Sequence, residues 1–159
     1  MTDHVRTQIR LATVTALQAI AGLSSIGSHV FPTRRMPLQP EHFPAILVYT
    51  TTEESSAETL SGPRSLSRNL DLLIEGVAQD TSTIDATLDA IATAIETAMG
   101  AAFADPTSPL RQLLRAGTLV NTQIGFTKGS TQDEAGTGHV ILTYRVNYRT
   151  RSENPTLIN

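Results

Sequence analysis

Few polar residues of this sequence lie at the spacings that are typical of catalytic or metal-binding sites. Its four histidines, His4, His29, His42 and His139, lie in separate segments, and none is paired at the spacing of metal ligands. A lone histidine is far more often a surface or strand-end residue than a ligand or a base. The motifs of phosphate-binding loops, zinc proteases, nucleophile elbows and dinucleotide-binding turns are missing. We therefore predict no catalytic residue, no cofactor and no metal site.

Glu53, Glu54 and Glu58 form an acidic run that could bind a hard cation. The alternating acidic spacing that wraps Ca²⁺ is missing, so a solvated loop is the favoured interpretation. The segment from Gly136 to Gly138 could cradle an anion, but a hairpin tip is the more common use of such glycines. Neither segment alone predicts a ligand site.

Two basic segments could serve as contacts. Arg34 and Arg35 lie in a proline-rich crossover, where they either contact phosphate or stay solvated. Aromatic and basic residues cluster at the end of the last predicted strand: Tyr144, Arg145, Tyr148 and Arg149. Tyr and Arg are enriched where proteins meet, but an exposed edge protected by charge would look the same. Both interpretations remain open at this point.

Length, charge and cysteine content limit the classes of protein. The 159 residues suffice for one domain with its own core. The net charge of −3 argues against a broad nucleic-acid-binding surface, which needs clustered Lys and Arg. Without cysteine, the chain has no disulfide framework and no thiolate chemistry. Neither a signal peptide nor a membrane span is predicted, because no apolar run approaches about 18 residues.

The apolar pattern predicts the strands that position these residues. The stretch Phe43 to Tyr49 is apolar without alternation, which predicts a strand covered on both faces. Leu66 to Ala78 alternates and predicts a long strand antiparallel to the first. A closing antiparallel pair is predicted from two further alternating faces, Val120, Thr122, Ile124 and Phe126, and Val140, Leu142, Tyr144, Val146 and Tyr148.

Apolar spacings of three and four predict two main helices. The first spans Thr2 to Leu23. The second carries one apolar face formed by Ile84, Leu88, Ile91, Ile95 and Met99. Ser82 and Asp85 resemble its capping box, and Gly100 is predicted to end it. A short helix is predicted from Ser108 to Arg115.

The order of elements predicts the fold class, because the helices lie between groups of strands. We predict an α+β fold with a mostly antiparallel sheet of about four to five strands. The N-terminal helix and the central helix are expected to pack on this sheet. Residues 1–150 form the single predicted domain, and residues 151–159 a loosely held C-terminal tail.

Three segments in this order resemble a known family. They read His-Phe-Pro-Ala-Ile-Leu-Val-Tyr before the acidic run, Leu-Leu-Ile-Glu-Gly-Val-Ala in the long strand, and Val-Ile-Leu-Thr-Tyr-Arg-Val-Asn-Tyr in the closing strand. Together with the helices, they resemble the tail-terminator family of long-tailed phages, the minor tail protein U type. The chain departs from shorter members at Thr33 to Pro40, at Ala101 to Ser108 and beyond Tyr148.

The resemblance implies a structural role without catalytic residues. Such a protein assembles as a six-membered ring on the end of the tail tube, stops further tube subunits from adding, and joins the tail to the head. Its implied partners are its own copies, the tail tube protein and the head-tail connector protein, and DNA passes through the lumen without specific binding. It would act in the host cytoplasm during assembly and at the head-proximal end of the tail in the virion.

Two alternatives to this role stay open. One is a neighbouring head-tail completion protein on the connector side. The other is a cytosolic ligand-binding or enzyme domain with a pocket between sheet and helices, marked by a carboxylate or histidine of shifted pKa.

The expected mechanism of assembly is a head-to-tail contact, which closes into a ring when the rotation per copy divides a full turn. We hypothesise that the acidic run of one copy meets basic residues of the next, either Arg34 and Arg35 or the strand end from Arg145 to Arg151. The predicted loops at Thr50 to Ser65 and Lys128 to Gly138 are candidates for ordering on the tube or the connector.

Overall fold

A six-stranded sheet forms the centre of the part of the protein that the structure describes. The computed structural model describes residues 3–19, 26, 29–33, 38–59, 61–62, 64–79, 82–128 and 136–158. In chain order its elements are α1 (Val5–Gln18), β1 (Val30–Phe31), a 3₁₀ turn (Pro40–His42), β2 (Ala45–Ala57), β3 (Ser65–Gln79), α2 (Ile84–Ala104), α3 (Pro109–Leu113), β4 (Ala116–Thr127), β5 (Thr137–Arg151) and β6 (Asn154–Ile158).

The strands lie in the order β1-β2-β3-β5-β4, and β6 pairs with the end of β5. All pairs are antiparallel except β1 with β2. The predicted α+β class and the mostly antiparallel sheet are therefore confirmed, although the sheet has six strands rather than four to five. The four long strands, β2, β3, β5 and β4, alternate in direction across the sheet.

The alternation in β3 and β5 sorts their side chains onto two faces. The side chains on the helix face of these two strands are largely buried, among them Leu70, Leu72, Ile74, Val140 and Leu142. The other face, here called the far face, holds polar side chains such as Asp71, Arg145 and Asn147. The start of β2 is buried on both faces, as its unbroken apolar run predicts, with Ala45, Ile46, Leu47 and Val48 at 5% exposure or less.

Helix α2 packs its predicted apolar face on the sheet, since Ile84, Leu88, Ile91, Ile95 and Met99 are all buried. Gly76 in β3 makes this approach possible, because a Cβ there would overlap Cγ2 of Ile91. Two predicted boundaries are wrong. The N-cap is Thr83, with no side-chain capping bond, and the helix continues through Gly100 to Ala104. Nothing lies within 4 Å of a Cβ added at Gly100, so this glycine is an ordinary exposed helix residue.

Two segments without an apolar period form strands. The acidic segment after Thr50, predicted as a long loop or as the ragged end of a hairpin, continues β2 to Ala57 and pairs with β3 in an antiparallel hairpin. The C-terminal tail, predicted to be loosely held, forms β6. Thr156 of β6 also accepts a hydrogen bond at its carbonyl from the Gln8 side chain of α1, at 3.0 Å. Backbone pairing does not need an apolar period, which explains why the sequence pattern misses both strands.

Candidate assembly surface

The predicted contact residues fall into three groups in the structure. Arg34 and Arg35 lie outside the described residues. Tyr144, Tyr148 and the Glu53 side chain lie inside the protein, at 4%, 0% and 10% exposure. The remaining predicted residues, Glu54, Glu58, Arg145 and Arg149, reach the surface to different extents. A surface position is therefore wrong for both tyrosines and for Glu53, while the contact role of the other residues stays a prediction.

Glu53 points to the helix face because of a bulge in β2. Thr50 pairs with Leu72 and Glu53 with Leu70, so three steps in β2 match two steps in β3. The extra residue moves the Glu53 side chain to the face that carries Leu70 and Leu72, where an unbroken register would have placed Thr52. A polar run that looks like a loop in sequence therefore sends one carboxylate into the core.

Three partners satisfy this buried carboxylate. Nη1 of Arg68 lies 2.5 Å from Oε1 of Glu53, and the Tyr148 hydroxyl donates to Oε2. Nε of Arg6, on the first turn of α1, lies 3.8 Å from Oε2. Arg68 in turn donates from Nε to the hydroxyl of buried Thr150 at 2.9 Å. The cluster joins α1, β2, β3 and β5, which makes it a structural centre rather than an exposed contact.

Arg145, Arg149 and Glu58 of the predicted set pair within one chain. Arg145 holds Asp71 with two hydrogen bonds, Nε to Oδ1 at 2.9 Å and Nη2 to Oδ2 at 3.3 Å. These bonds raise the pKa of Arg145, with a further contribution from the charge of Glu54. Glu58 pairs with Arg149 and, at 3.3 Å, with Arg115. Because only β3 separates β2 from β5, the two charged segments that were predicted to meet between copies already meet across the sheet.

Burial governs the titration of the two inner tyrosines. It raises the pKa of Tyr144 to about 12, with a smaller contribution from the charge of Glu96. The pKa of Tyr148 is also raised, first by burial and then by its hydrogen bond to Glu53. Both phenols are therefore protonated near neutral pH.

We expect these two of the three tyrosines to stay protonated at pH 10, where a free phenol is half ionised. The unfolded chain loses these protons near pH 10 and the folded chain only at higher pH, so the stability is full below pH 10 and falls as the pH rises towards 12. Absorbance at 295 nm during an alkaline titration measures this directly. The chain unfolded in urea is the control, with all three phenols ionising together near pH 10. Three equivalent phenols in the folded protein would contradict the buried positions.

A different surface was missed by the sequence pattern. Val120, Ile124 and Phe126 of β4 are 49%, 55% and 54% exposed, and together we call them the β4 patch. The alternation of β4 suggests a buried face, but Val120 occupies a bulge between Leu119 and Asn121. A strand with an apolar face next to a covering helix has the same sequence pattern as one beyond the reach of that helix.

The position of α2 explains why this patch is open. At the start of β4, the ring of Phe103 covers Gly117 so closely that a Cβ there would lie 2.6 Å from it. Further along, Ile84 and Leu88 pack against Gly138 of β5. The helix axis therefore follows β3 and β5, and the second half of the edge strand stays uncovered.

An open cleft of about 510 Å³ lies between the helices. Small side chains line most of it, such as Ala12 and Ala16 of α1 and Ala98 and Ala101 of α2. Asp105, the one acidic residue among the described lining residues, has a lowered pKa because the Thr107 side chain and backbone donate hydrogen bonds to it. This is a local turn after α2, and none of the other described lining residues is charged.

Within the described ranges, no three His, Asp or Glu side chains are placed to hold a metal ion. In the same part of the chain, no helix has the length and apolar character needed to cross a membrane.

Comparisons with known proteins give similarity to solved structures and to nothing else that was searched. The chain matches no protein-family model and no curated protein. Among solved structures, it is similar to a chain from the "Virion of native gene transfer agent (GTA) particle", with 18% sequence identity and a TM-score of 0.48. The similarity covers 89% of this chain and 94% of that chain.

Proposed function

We propose that this protein is a structural component of a virion that caps a phage tail tube as a ring. In this role it stops the addition of tube subunits and provides the surface that joins the tail to the head. The observation that carries the proposal is the β4 patch on an edge strand without a single charged residue from Ala116 to Thr127. Such a surface suits a protein that works by binding other proteins.

Strand β4 exposes large apolar side chains at the edge of the sheet. Edge strands of soluble monomers are usually short, charged or covered, because an open row of backbone groups invites pairing with another chain. β4 is 12 residues long, and three large apolar side chains stand in solvent along it. Exposed apolar groups in contiguous array mark protein contact sites. Copies of this chain, the tube and the connector are the partners that the tail-terminator resemblance implies.

The far face of the sheet suits the implied passage of DNA. Two of its arginines are already paired with carboxylates, Arg145 with Asp71 and Arg149 with Glu58. A tight grip on phosphates requires unpaired Lys and Arg along a surface. If the far face lines the ring, DNA would pass arginines whose charges are already neutralised by carboxylates. This is consistent with a lumen that does not bind DNA specifically.

The proposed function is tested by assembling tails with and without the protein. Without it, we expect tubes of irregular and excessive length in electron micrographs. With it added, tube length should become uniform, and the protein should appear as a ring at one tube end. Tubes that end at the normal length without the protein would contradict the proposal. Binding to the head connector but not to purified headless tails would instead assign it as a completion protein of the connector side.

A further inference from the structure

A histidine caps the first turn of α1. The backbone N–H of Arg6 donates to Nδ1 of His4 at 3.1 Å, and the His4 carbonyl accepts from the N–H groups of Thr7 and Gln8 at 2.8 and 3.2 Å. The first N–H groups of a helix have no partner within the helix, so the imidazole satisfies one of them. Because a backbone N–H can only donate, Nδ1 carries a lone pair and the proton of the neutral ring is on Nε2.

A histidine cap differs from the common helix caps in its response to acid. The side-chain oxygens of Asn, Asp, Ser and Thr take up no proton between pH 5 and 8, whereas a free imidazole does so near pH 6.5. Protonation of Nδ1 turns this acceptor into a donor, which cannot bond the Arg6 N–H. It also places a positive charge at the helix N-terminus, where the helix dipole favours negative charge. A single proton therefore removes the cap and adds a repulsion.

The surroundings of His4 oppose its protonation. Among the described residues, the charges that act on it are those of Arg6 on α1, Glu53 on β2 and Arg68 on β3. The anion is already bonded to Arg68 and to Tyr148 of β5, and β6 is uncharged from Asn154 to Ile158. Burial lowers the pKa of His4 below its usual 6.5, Arg6 and Arg68 lower it further, and Glu53 acts in the opposite direction.

The Gln8 side chain links the same helix start to β6. Its Nε2 donates to the Asp3 carbonyl at 2.7 Å and to the Thr156 carbonyl at 3.0 Å. Asp3 precedes the cap, and Thr156 lies in the middle of β6. Gln8 is itself held by the bond from its N–H to the His4 carbonyl. Opening of the first turn therefore also withdraws the Gln8 side chain from β6.

We propose that His4 is a pH-sensitive latch, which holds the first turn of α1 and β6 in place while its ring is neutral and releases both when the ring is protonated. The released state takes up the proton near pH 6.5 and the closed state only at lower pH. The latch is therefore fully stable above pH 6.5 and loses stability as the pH falls below that value. It belongs to a single copy of the chain, so it goes beyond the proposed tail capping and does not depend on it.

Amide hydrogen exchange of the full chain at pH 7.5 and 5.0, corrected for the intrinsic effect of pH on exchange, tests the latch. In the wild type, we expect acid to increase the opening of the α1 first turn and of β6 about fivefold, as for the loss of one N-cap. Amides in the middle of β3 should keep their protection. His4→Asn is the matched variant, because asparagine caps a helix without titrating, and it should show no acid opening. The other three histidines are unchanged in it, so their protonation is controlled for.

An equal acid response of the wild type and His4→Asn would overturn the latch. The cap itself is checked by NMR, since the amide signal of Arg6 should move with the same pH midpoint as the His4 ring signals, and a different midpoint would contradict the assignment.

Gln8→Leu tests the link to β6, because it removes the bond to the Thr156 carbonyl. In this variant we expect β6 to be equally open at both pH values, while the start of α1 still responds to acid. Acid opening of β6 that persists in Gln8→Leu, or a wild type in which only α1 opens, would overturn the link between the two elements.

Discussion

Replacement of Glu53 by alanine is expected to lower the free energy of unfolding by about 3–5 kcal/mol. The side chains of Glu53 and Arg68 are only 10% and 13% exposed. Without the carboxylate, the Arg68 guanidinium remains buried with Thr150 as its neutral partner, and the Tyr148 hydroxyl loses its acceptor. Removal of one member of a buried pair costs much more than the pair contributes, because the remaining charge stays desolvated. Urea unfolding followed by circular dichroism measures the change.

Two control variants separate charge from shape at this position. Glu54→Ala changes the neighbouring residue, which is exposed, and should alter the stability by no more than about 0.5 kcal/mol. The double variant Glu53→Met, Arg68→Met removes both charges at once and should regain most of the loss seen with Glu53→Ala. A wild-type urea midpoint for Glu53→Ala would show that the carboxylate is solvated. Equal losses in the single and double variants would assign the effect to packing instead of the unpaired charge.

The position of Glu53 illustrates what the sequence pattern does not contain. Helix α2 and strands β3 and β5 are predictable because burial imposes a period of 3.6 or 2 on their apolar residues. The bulge in β2 has no such mark, since its segment Thr-Thr-Thr-Glu-Glu is polar on every residue. Shifting the register by one residue exchanges the two faces. One unmarked residue therefore decides whether Glu53 meets water or Arg68.

The candidate contact surface likewise combines residues that the sequence identifies with pairings that only the topology determines. The sequence identifies Arg145, Arg149 and Glu58 as charged residues near strand ends, but it does not indicate that they pair within one chain. That depends on β3 lying between β2 and β5, a property of the topology. The open state of the β4 patch depends on the course of α2, which lies over β3 and β5. Residue types and their periods predict elements, whereas partners between elements follow from how the elements are arranged.

The close approach of α2 to the sheet at Gly76 gives a prediction about two residues together. Ile91→Ala should lower the free energy of unfolding by about 2–5 kcal/mol, because Ile91 is 2% exposed and its removal leaves a cavity against β3. Gly76→Ala should cost about 1–3 kcal/mol by overpacking. Its new Cβ would overlap Cγ2 of Ile91 and lie 3.2 Å from Cγ1 of Val140.

The double variant Gly76→Ala, Ile91→Ala should be more stable than the sum of the single losses implies, by about 0.5–3 kcal/mol. The methyl group added to β3 occupies space that the shortened helix residue leaves empty, so each change relieves the cost of the other. Gly100→Ala is the control on the same helix, where nothing meets the added Cβ, and it should stabilise the protein by about 0.5–1 kcal/mol through helix propensity. Urea unfolding of the four proteins in the cycle gives the coupling. Strictly additive losses would mean that Ile91 does not occupy the space above Gly76, and α2 would then have to lie elsewhere on the sheet.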